Sequence, residues 1–221
     1  MDFMKAFDKV PHKRLLLYKI KHYGISERTC NWIESFLSNR HQCVQVNGSK
    51  STWHNVTSGI PQGSVLGPIL FVLFINDLPI SVVSDAFMFA DDTKIFRTIS
   101  DESDIDIIQK DLDEVFNWRK LWLLKFHPDK CNVLPVMSKH SSHLPHTYNM
   151  NKYEGGRIDL ETVDHEKDIG VTIDRNLSFA MHIQNQVNKA NQLVGLTRRS
   201  FAYLDNRTFC LLLKAQVRPH L

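Results

Sequence analysis

Four cysteines in 221 residues, Cys30, Cys43, Cys131 and Cys210, are too few and too widely spaced for a disulfide framework, and no C-x-x-C pair is present to build a zinc ribbon. Buried free thiols in a reducing compartment are the expectation. Long apolar runs are also missing. The longest, Val65 to Ile75, has 11 residues and contains Gly67 and Pro68, against about 20 needed to cross a bilayer. No membrane partner is expected, and the run reads as a buried helix. The opening residues Met1 to Asp8 carry charge where a secretory leader would be apolar, so the chain reads as intracellular, with nucleus and cytoplasm not distinguished. Nine Gly, eight Pro and no internal repeat exclude collagen-like and low-complexity classes. A chain of this size can bury a sizeable core without help from disulfides or a structural metal.

The formal net charge is +3, but it is unevenly spread. Residues 1–130 hold 16 basic and 16 acidic side chains, whereas Arg175 to Leu221 holds seven basic ones and only Asp205 as an acid. That asymmetry hints at a polyanionic partner for the C-terminal segment.

Hydrophobic spacing predicts a helix over Lys13 to His22, on Leu16, Leu17 and Ile20, ending near Gly24. A second helix, capped by Ser26, presents Ile33, Phe36 and Leu37, with Trp32 beside them. Two β-prone runs, QCVQV and STWHNV, flank Asn47-Gly48 and predict a hairpin. A Gly/Ser/Pro loop from Ser58 to Gly63 leads into the apolar helix. The segment AFMFADDTKIF reads as another hairpin with its acids at the turn. A long amphipathic helix follows, with Asp101, Glu102 and Asp104 at its start, Ile108, Leu112, Val115, Trp118 and Trp122 on its buried side, and Pro128 as its expected end. CNVLPVM is a short strand, and Ser138 to Asn149 is a polar loop that marks a domain boundary, dividing the chain into 1–137 and 138–221. Beyond it come β-like pieces near Gly155-Gly156 and in DIGVTID, then helices from about Ser178 to Ser200 and from Asp205.

Asp91 and Asp92 are the sharpest chemical feature. Adjacent carboxylates among Phe87, Phe89 and Phe96 repel one another and are poorly solvated, and a divalent cation is the usual compensation. A solvated Asp-Asp turn is the bland alternative. A third carboxylate, Asp2, opens D-F-M-K-A-F-D, where a strand would put Asp2, Met4 and Ala6 on one face. Taken alone, Asp2 reads as a frayed terminus. Three histidines, His140, His143 and His146, recur every third residue, but a Ser/Pro loop without a fourth ligand is a poor zinc scaffold.

In order and spacing, four motifs closely resemble the palm of reverse transcriptases from non-LTR, LINE-like retrotransposons: DFMKAFDKVPHKRLL (2–16), SGIPQGSVLGPILFVLFINDLP (58–79), FADDTKIF (89–96) and LKFHPDKCNVL (124–134). KDIGVTIDRNLSFAMHI (167–183) and KANQLVGLTRRSF (189–201) are similar to the region after the palm in CR1 or jockey elements. The resemblance implies an α+β palm, an antiparallel sheet with packed helices, followed by a partial helical thumb. It implies RNA-directed DNA synthesis with two Mg²⁺ ions, Mn²⁺ being a possible substitute, on an RNA template and DNA primer with dNTP.

By matching position, Asp2, Asp91 and Asp92 would be the metal-binding acids, and Lys130 would serve near the leaving pyrophosphate. Phe7 would pack under the deoxyribose and exclude a 2′-hydroxyl. Pro61, Gln62 and Gly63 would line the template and nucleotide pocket. Lys189, Arg198, Arg199, Arg207 and Lys214 would meet nucleic-acid phosphates. A core role for Phe7, a solvated Lys130 and a solvated basic helix face stay open as alternatives. Asp8 reads as structural. The match begins at the first catalytic acid, without the basic fingers motifs, and ends within the thumb without an endonuclease. A truncated, inactive remnant that at most binds nucleic acid weakly is therefore the alternative function. A metal-dependent phosphodiesterase is a third, lacking a clear general base.

Overall fold

The computed structural model describes residues 1, 3–127, 130–137, 146–152, 155–201 and 203–220, with the side chains of Leu16 and Leu17 left aside. The chain divides into two compact units, 1–131 with 144–161, and 132–143 with 162–221. Helices and short antiparallel strands are mixed in sequence, an α+β arrangement. Each described sheet has two strands.

In the first unit, Met1 and Phe3 are joined to other parts of the chain by backbone contacts. Met1 and Thr93 exchange two backbone hydrogen bonds, of 2.8 and 3.1 Å. Phe3 forms a β-bridge with Phe126 and Met4 N–H donates to the Lys125 carbonyl at 2.7 Å. Lys5 then turns left-handed, φ 51°, and Ala6–Lys9 is a helical turn with Ala6 buried. The strand alternation expected to run from Asp2 to Ala6 thus ends at Met4, because Phe3 stacks on Phe126, ring centroids 4.4 Å apart, and the next residues must bend toward the core. Asp2 lies outside the described residues.

Residues 12–22 are helical, as expected, but Leu15–Ile20 winds as a wider π-type turn. Ser26 caps helix Glu27–Leu37 by accepting from Thr29 N–H. Asn47 and Gly48, φ 48° and 84°, turn the expected hairpin, pairing Val46 with Ser49. Helix Leu66–Ile75 buries Leu70, Phe71 and Phe74 completely, but Val65 is 89%, Ile69 53% and Val72 51% exposed. An evenly apolar sequence hides which face is covered, so the expected buried helix is buried on one side only.

The long helix Glu102–Trp122 begins as expected. Asp101 accepts from the Ser103 hydroxyl and from Asp104 and Ser103 N–H, and these bonds, the hydroxyl's foremost, hold its carboxyl below the ordinary value. Its end differs from the expectation. Leu123, φ 61°, stops it ahead of Pro128, and the turn carries Phe126 back to Phe3. Val115 and Trp118 face the core, and Trp118 Nε1–H donates to Asp77 at 3.1 Å. Asp77 also pairs with Lys19, whose ammonium is buried over the Trp122 ring at 3.6 Å. Burial pushes that ammonium below its usual pKa, against the pull of Asp77. The outer face of the same helix holds strand Asn149–Asn151, where Gln109 exchanges two hydrogen bonds with the Asn149 backbone, 2.9 and 3.1 Å. That strand pairs with Arg157–Asp159.

In the second unit, strands His165–Asp168 and Val171–Asp174 form a hairpin turned by Ile169 and Gly170. Asp174 ends it, accepting hydrogen bonds from Asn176, Ser178 and Phe179 and so setting the entry to helix Ala180–Ser200. Asp205 caps the following helix Asn206–Leu212 through Thr208 N–H at 2.7 Å. Among the described residues, no helix is long and apolar enough to cross a membrane.

Candidate active site

The paired acids sit at the tip of hairpin Asp85–Phe89 and Asp92–Phe96. Phe89 pairs with Asp92, leaving Ala90 and Asp91 as the two-residue turn, and Ala90 takes a left-handed φ of 52°. Asp91 is therefore at the turn and half-buried, and Asp92 opens the return strand and is exposed. Period-two alternation places Phe87, Phe89, Asp92 and Phe96 on one face, and all four are exposed. Phe87 and Phe96 stack there at 5.1 Å. Thr93, on the other face, is fully buried and takes up Met1.

The root of the hairpin is fixed from the long helix. Asp111, 2% exposed, accepts from Val83 and Ser84 N–H at 2.7 and 2.9 Å, just before the first strand. A carboxylate in the middle of a helix, bonded to two backbone donors, leaves the strand little freedom to slide. The helical period put only apolar residues on the buried side, so Asp111 had no signal in the sequence.

A second cluster gathers Phe7, Pro61 and Gln62. The Phe7 ring stacks on fully buried Phe71, centroids 4.3 Å apart and planes 23° apart. Its carbonyl accepts from Ile60 N–H at 2.7 Å, and the Val10 carbonyl accepts from Gly59 N–H at 2.9 Å. Ser58 Oγ–H donates to the Asp8 carbonyl, and Gln62 Nε2–H donates to the Asp8 carboxylate, both at 3.1 Å. His12 Nε2 lies 2.6 Å from the Gly59 carbonyl.

Gly59 has φ +90°, and a Cβ there would come within 2.7 Å of the Asp8 carbonyl oxygen. Only glycine allows that approach of two backbones. On the other side, Ser64 Oγ–H donates to the Pro61 carbonyl at 2.7 Å and accepts from Gly67 N–H at 3.0 Å, joining the loop to helix Leu66–Ile75. Gly63, φ +77°, has open space where a Cβ would point.

The structure thus brings Phe7, Pro61 and Gln62 onto one framework, which the motif spacing alone did not disclose. Asp8 joins them through its bonds with Ser58 and Gln62. His12 and Gly59 were not singled out in the sequence; their only signal was a place inside the motifs 2–16 and 58–79.

Lys130 is exposed, and its N–H donates to the His127 carbonyl at 2.9 Å. In the second unit Lys189, Arg198, Arg199, Arg207 and Lys214 are all exposed. Lys189 and Arg198 are nine residues apart on one helix, so at 3.6 residues per turn they lie on opposite sides. Among the described residues no group of three His, Cys, Asp or Glu side chains converges as a metal site. Of the histidine series, His140 and His143 lie outside the described residues.

Compared with known families, residues 1–173 match the model for reverse transcriptase (RNA-dependent DNA polymerase). The chain belongs to the reverse transcriptase family. It is similar to the RNA-directed DNA polymerase from mobile element jockey of Drosophila melanogaster, 31% identical over 84% of this chain and 20% of that protein. It is also similar to the probable RNA-directed DNA polymerases of two other elements of that fly. The one from transposon BS is 28% identical over 98% of this chain and 24% of that protein, and the one from transposon X-element is 29% identical over 83% and 20%. The chain spans about a quarter or less of the length of these curated relatives. The motif resemblance to non-LTR elements of the jockey kind is borne out at the level of the family and of these relatives. What the motifs leave to chemistry is how this reverse transcriptase domain would hold metal and nucleotide.

Proposed function

We propose that this domain carries the palm of an RNA-directed DNA polymerase over 1–137, followed over 138–221 by a connection and the start of a helical thumb. The observation that carries the reading is the Asp91–Asp92 hairpin tip with Met1 joined to its return strand at Thr93. The six residues from Met1 lead directly to Phe7 and the Gln62 loop. Metal-binding tip and nucleotide loop are thereby ends of one short stretch of backbone.

Reverse transcriptases in general use divalent metal ions. The donors present fit a hard cation, since Asp91 and Asp92 offer only carboxylate oxygens and Asp92 is open to solvent. With Asp2 they would hold two Mg²⁺ ions. Such ions lower the pKa of a primer 3′-hydroxyl and neutralise charge developing on the leaving pyrophosphate. The hydroxyl oxygen forms a bond to the α-phosphorus of dNTP, the bond to pyrophosphate breaks, and the hydroxyl proton is lost to solvent. Lys130 would stabilise or protonate the leaving pyrophosphate. Phe7, backed by Phe71, cannot retreat into the core, which suits a ring that excludes a 2′-hydroxyl. Pro61, Gln62 and Gly63 would line the template and nucleotide pocket, with open space beside Gly63 for a base pair. The exposed Lys189, Arg198, Arg199, Arg207 and Lys214 would contact phosphates of template and primer.

Primer extension on an RNA template with dNTP and Mg²⁺ tests this reading, beside an Asp91→Ala/Asp92→Ala control. Extension by the natural chain that disappears in the control, with circular dichroism unchanged, is the expected result. Extension that survives in the control removes the metal assignment. No extension by either would make an inactive, nucleic-acid-binding domain the working description.

A further inference from the structure

We propose that His12 is a positioning residue that locks the Gln62 loop and the Phe7 ring into one rigid piece, so that nucleotide affinity and sugar discrimination depend on it together. The inference rests on the polymerase reading above. A carbonyl oxygen can only accept, so the 2.6 Å contact requires that His12 Nε2 carry the proton toward Gly59. Both the neutral Nε2–H tautomer and the imidazolium meet that requirement.

The bond is partly buried and spans 47 positions of sequence, and its acceptor peptide is the one that enters the nucleotide loop. Gly59 is buried and Val10 and Ile60 have at most 3% exposure, so water does not readily replace a lost partner there. The same Gly59 backbone donates to Val10, and Ile60 donates to the carbonyl of Phe7 itself. With the exposed bonds from Ser58 and Gln62 to Asp8, five hydrogen bonds join this loop to the chain from Phe7 to His12, and His12 supplies the partly buried side-chain bond to the Gly59 peptide.

The geometry makes two predictions that separate positioning from bulk stability. If the loop shifts, Gln62 and Phe7 shift with it, because Ile60 is bonded to Phe7 and the Asp8 carboxylate to Gln62. KM for dNTP and the preference for dNTP over ribonucleotide should then change together, while kcat, set at Asp91 and Asp92, changes less. Loss of one partly buried hydrogen bond corresponds to about a fivefold rise in KM.

The test uses the full chain with His12→Leu, which keeps an apolar side chain but no donor, and His12→Gln, whose amide can donate to the same carbonyl. Steady-state extension is measured with dTTP and with UTP. Amide hydrogen exchange of Gly59 and Ile60 is followed in parallel without substrate.

A raised KM and lowered sugar discrimination in His12→Leu, both restored in His12→Gln, are expected. Unchanged KM and discrimination overturn the proposal, and so does a fall in kcat that simply follows a lowered Tm. If the natural chain shows no extension, the polymerase reading fails and exchange alone decides the lock. Faster exchange at Gly59 and Ile60 in His12→Leu, restored by His12→Gln, then keeps it; exchange equal in all three removes it.

Discussion

The two units are held together by different means. In the first, Val10, Leu15, Ile20, Leu37, Leu70, Phe71, Phe74, Leu78 and Val115 are completely buried, Asp111 and Lys19 are polar ties set within that apolar mass, and half-buried Asp77 meets Lys19 at its edge. Among the described residues of the second, only Ala190, Thr197 and Val217 are buried. Its order rests on hydrogen bonds and ion pairs near the surface. Arg175 bridges to Asp164 at 2.8 Å, its carbonyl accepts from Met137 N–H at 2.8 Å, and Asp174 gathers the turn before the long helix. Apolar burial is insensitive to charge and strongly sensitive to shape, whereas exposed polar ties respond to pH and salt. The hairpin tip with Asp91 and Asp92 and the loop from Ser58 to Gly63 both stand on the first kind of support.

The contrast can be broken most severely by Phe71→Ala. Removing a fully buried ring should destabilise the first unit by about 3–5 kcal/mol, read by urea unfolding, and should also take the support from under Phe7. Ile183→Ala on the exposed side of the second unit should change stability by less than about 0.5 kcal/mol. Equal losses in the two variants would show that burial does not distinguish the units.

Gly59→Ala should come next, at about 2 kcal/mol, because the new methyl meets the Asp8 backbone, which cannot move aside as a side chain would. Thermal unfolding measures it. A Tm equal to that of the natural chain would mean that the loop is free to lift from the Phe7–Val10 turn.

The smallest effect is a pH dependence that sharpens the comparison on the other side. Backbone donation from Ser178, aided by its hydroxyl and by Phe179 and Asn176, holds the Asp174 carboxyl below its ordinary value of 3.8. A carboxylate with a depressed folded pKa contributes stability that is present above the unfolded value and lost as pH falls through the folded one. Amide exchange in helix Ala180–Ser200 should therefore quicken as pH drops below 3.8, and less so in Asp174→Asn. Identical pH profiles for the natural chain and the variant would remove Asp174 from the account.

Much of the local structure was legible because it depends on neighbours in sequence. Ser26 and Asp101 cap their helices through donors two or three residues on, and Asn47-Gly48 supplies the two positive φ values that a tight hairpin needs. The turn at Ile169-Gly170 uses the same region with a β-branched residue at φ 43°, against local preference, so DIGVTID read as one β-like piece rather than a hairpin. The end of the long helix also departs from local signals. Pro128 was the visible stop, but the bridge between Phe3 and Phe126 ends the helix at Trp122, and that contact joins residues far apart in the chain.

By itself, the sequence determined the family, the order of the motifs, the acids of the hairpin tip and most helix starts, since each is carried by residue type at short spacing. Only the tertiary structure decided that Asp111 anchors the hairpin root, that Lys19 and Trp118 share Asp77, and that His12, Asp8 and Gly59 fasten the loop from Ser58 to Gly63. These contacts span 27 to 54 positions where hydrogen-bonded. No local propensity encodes them. For Asp111 and Lys19 they form because buried polar groups must find partners once the apolar faces of Leu66–Ile75 and Glu102–Trp122 have packed; the exposed Asp8–Gln62 bond follows from the same packing, which sets the loop beside the turn.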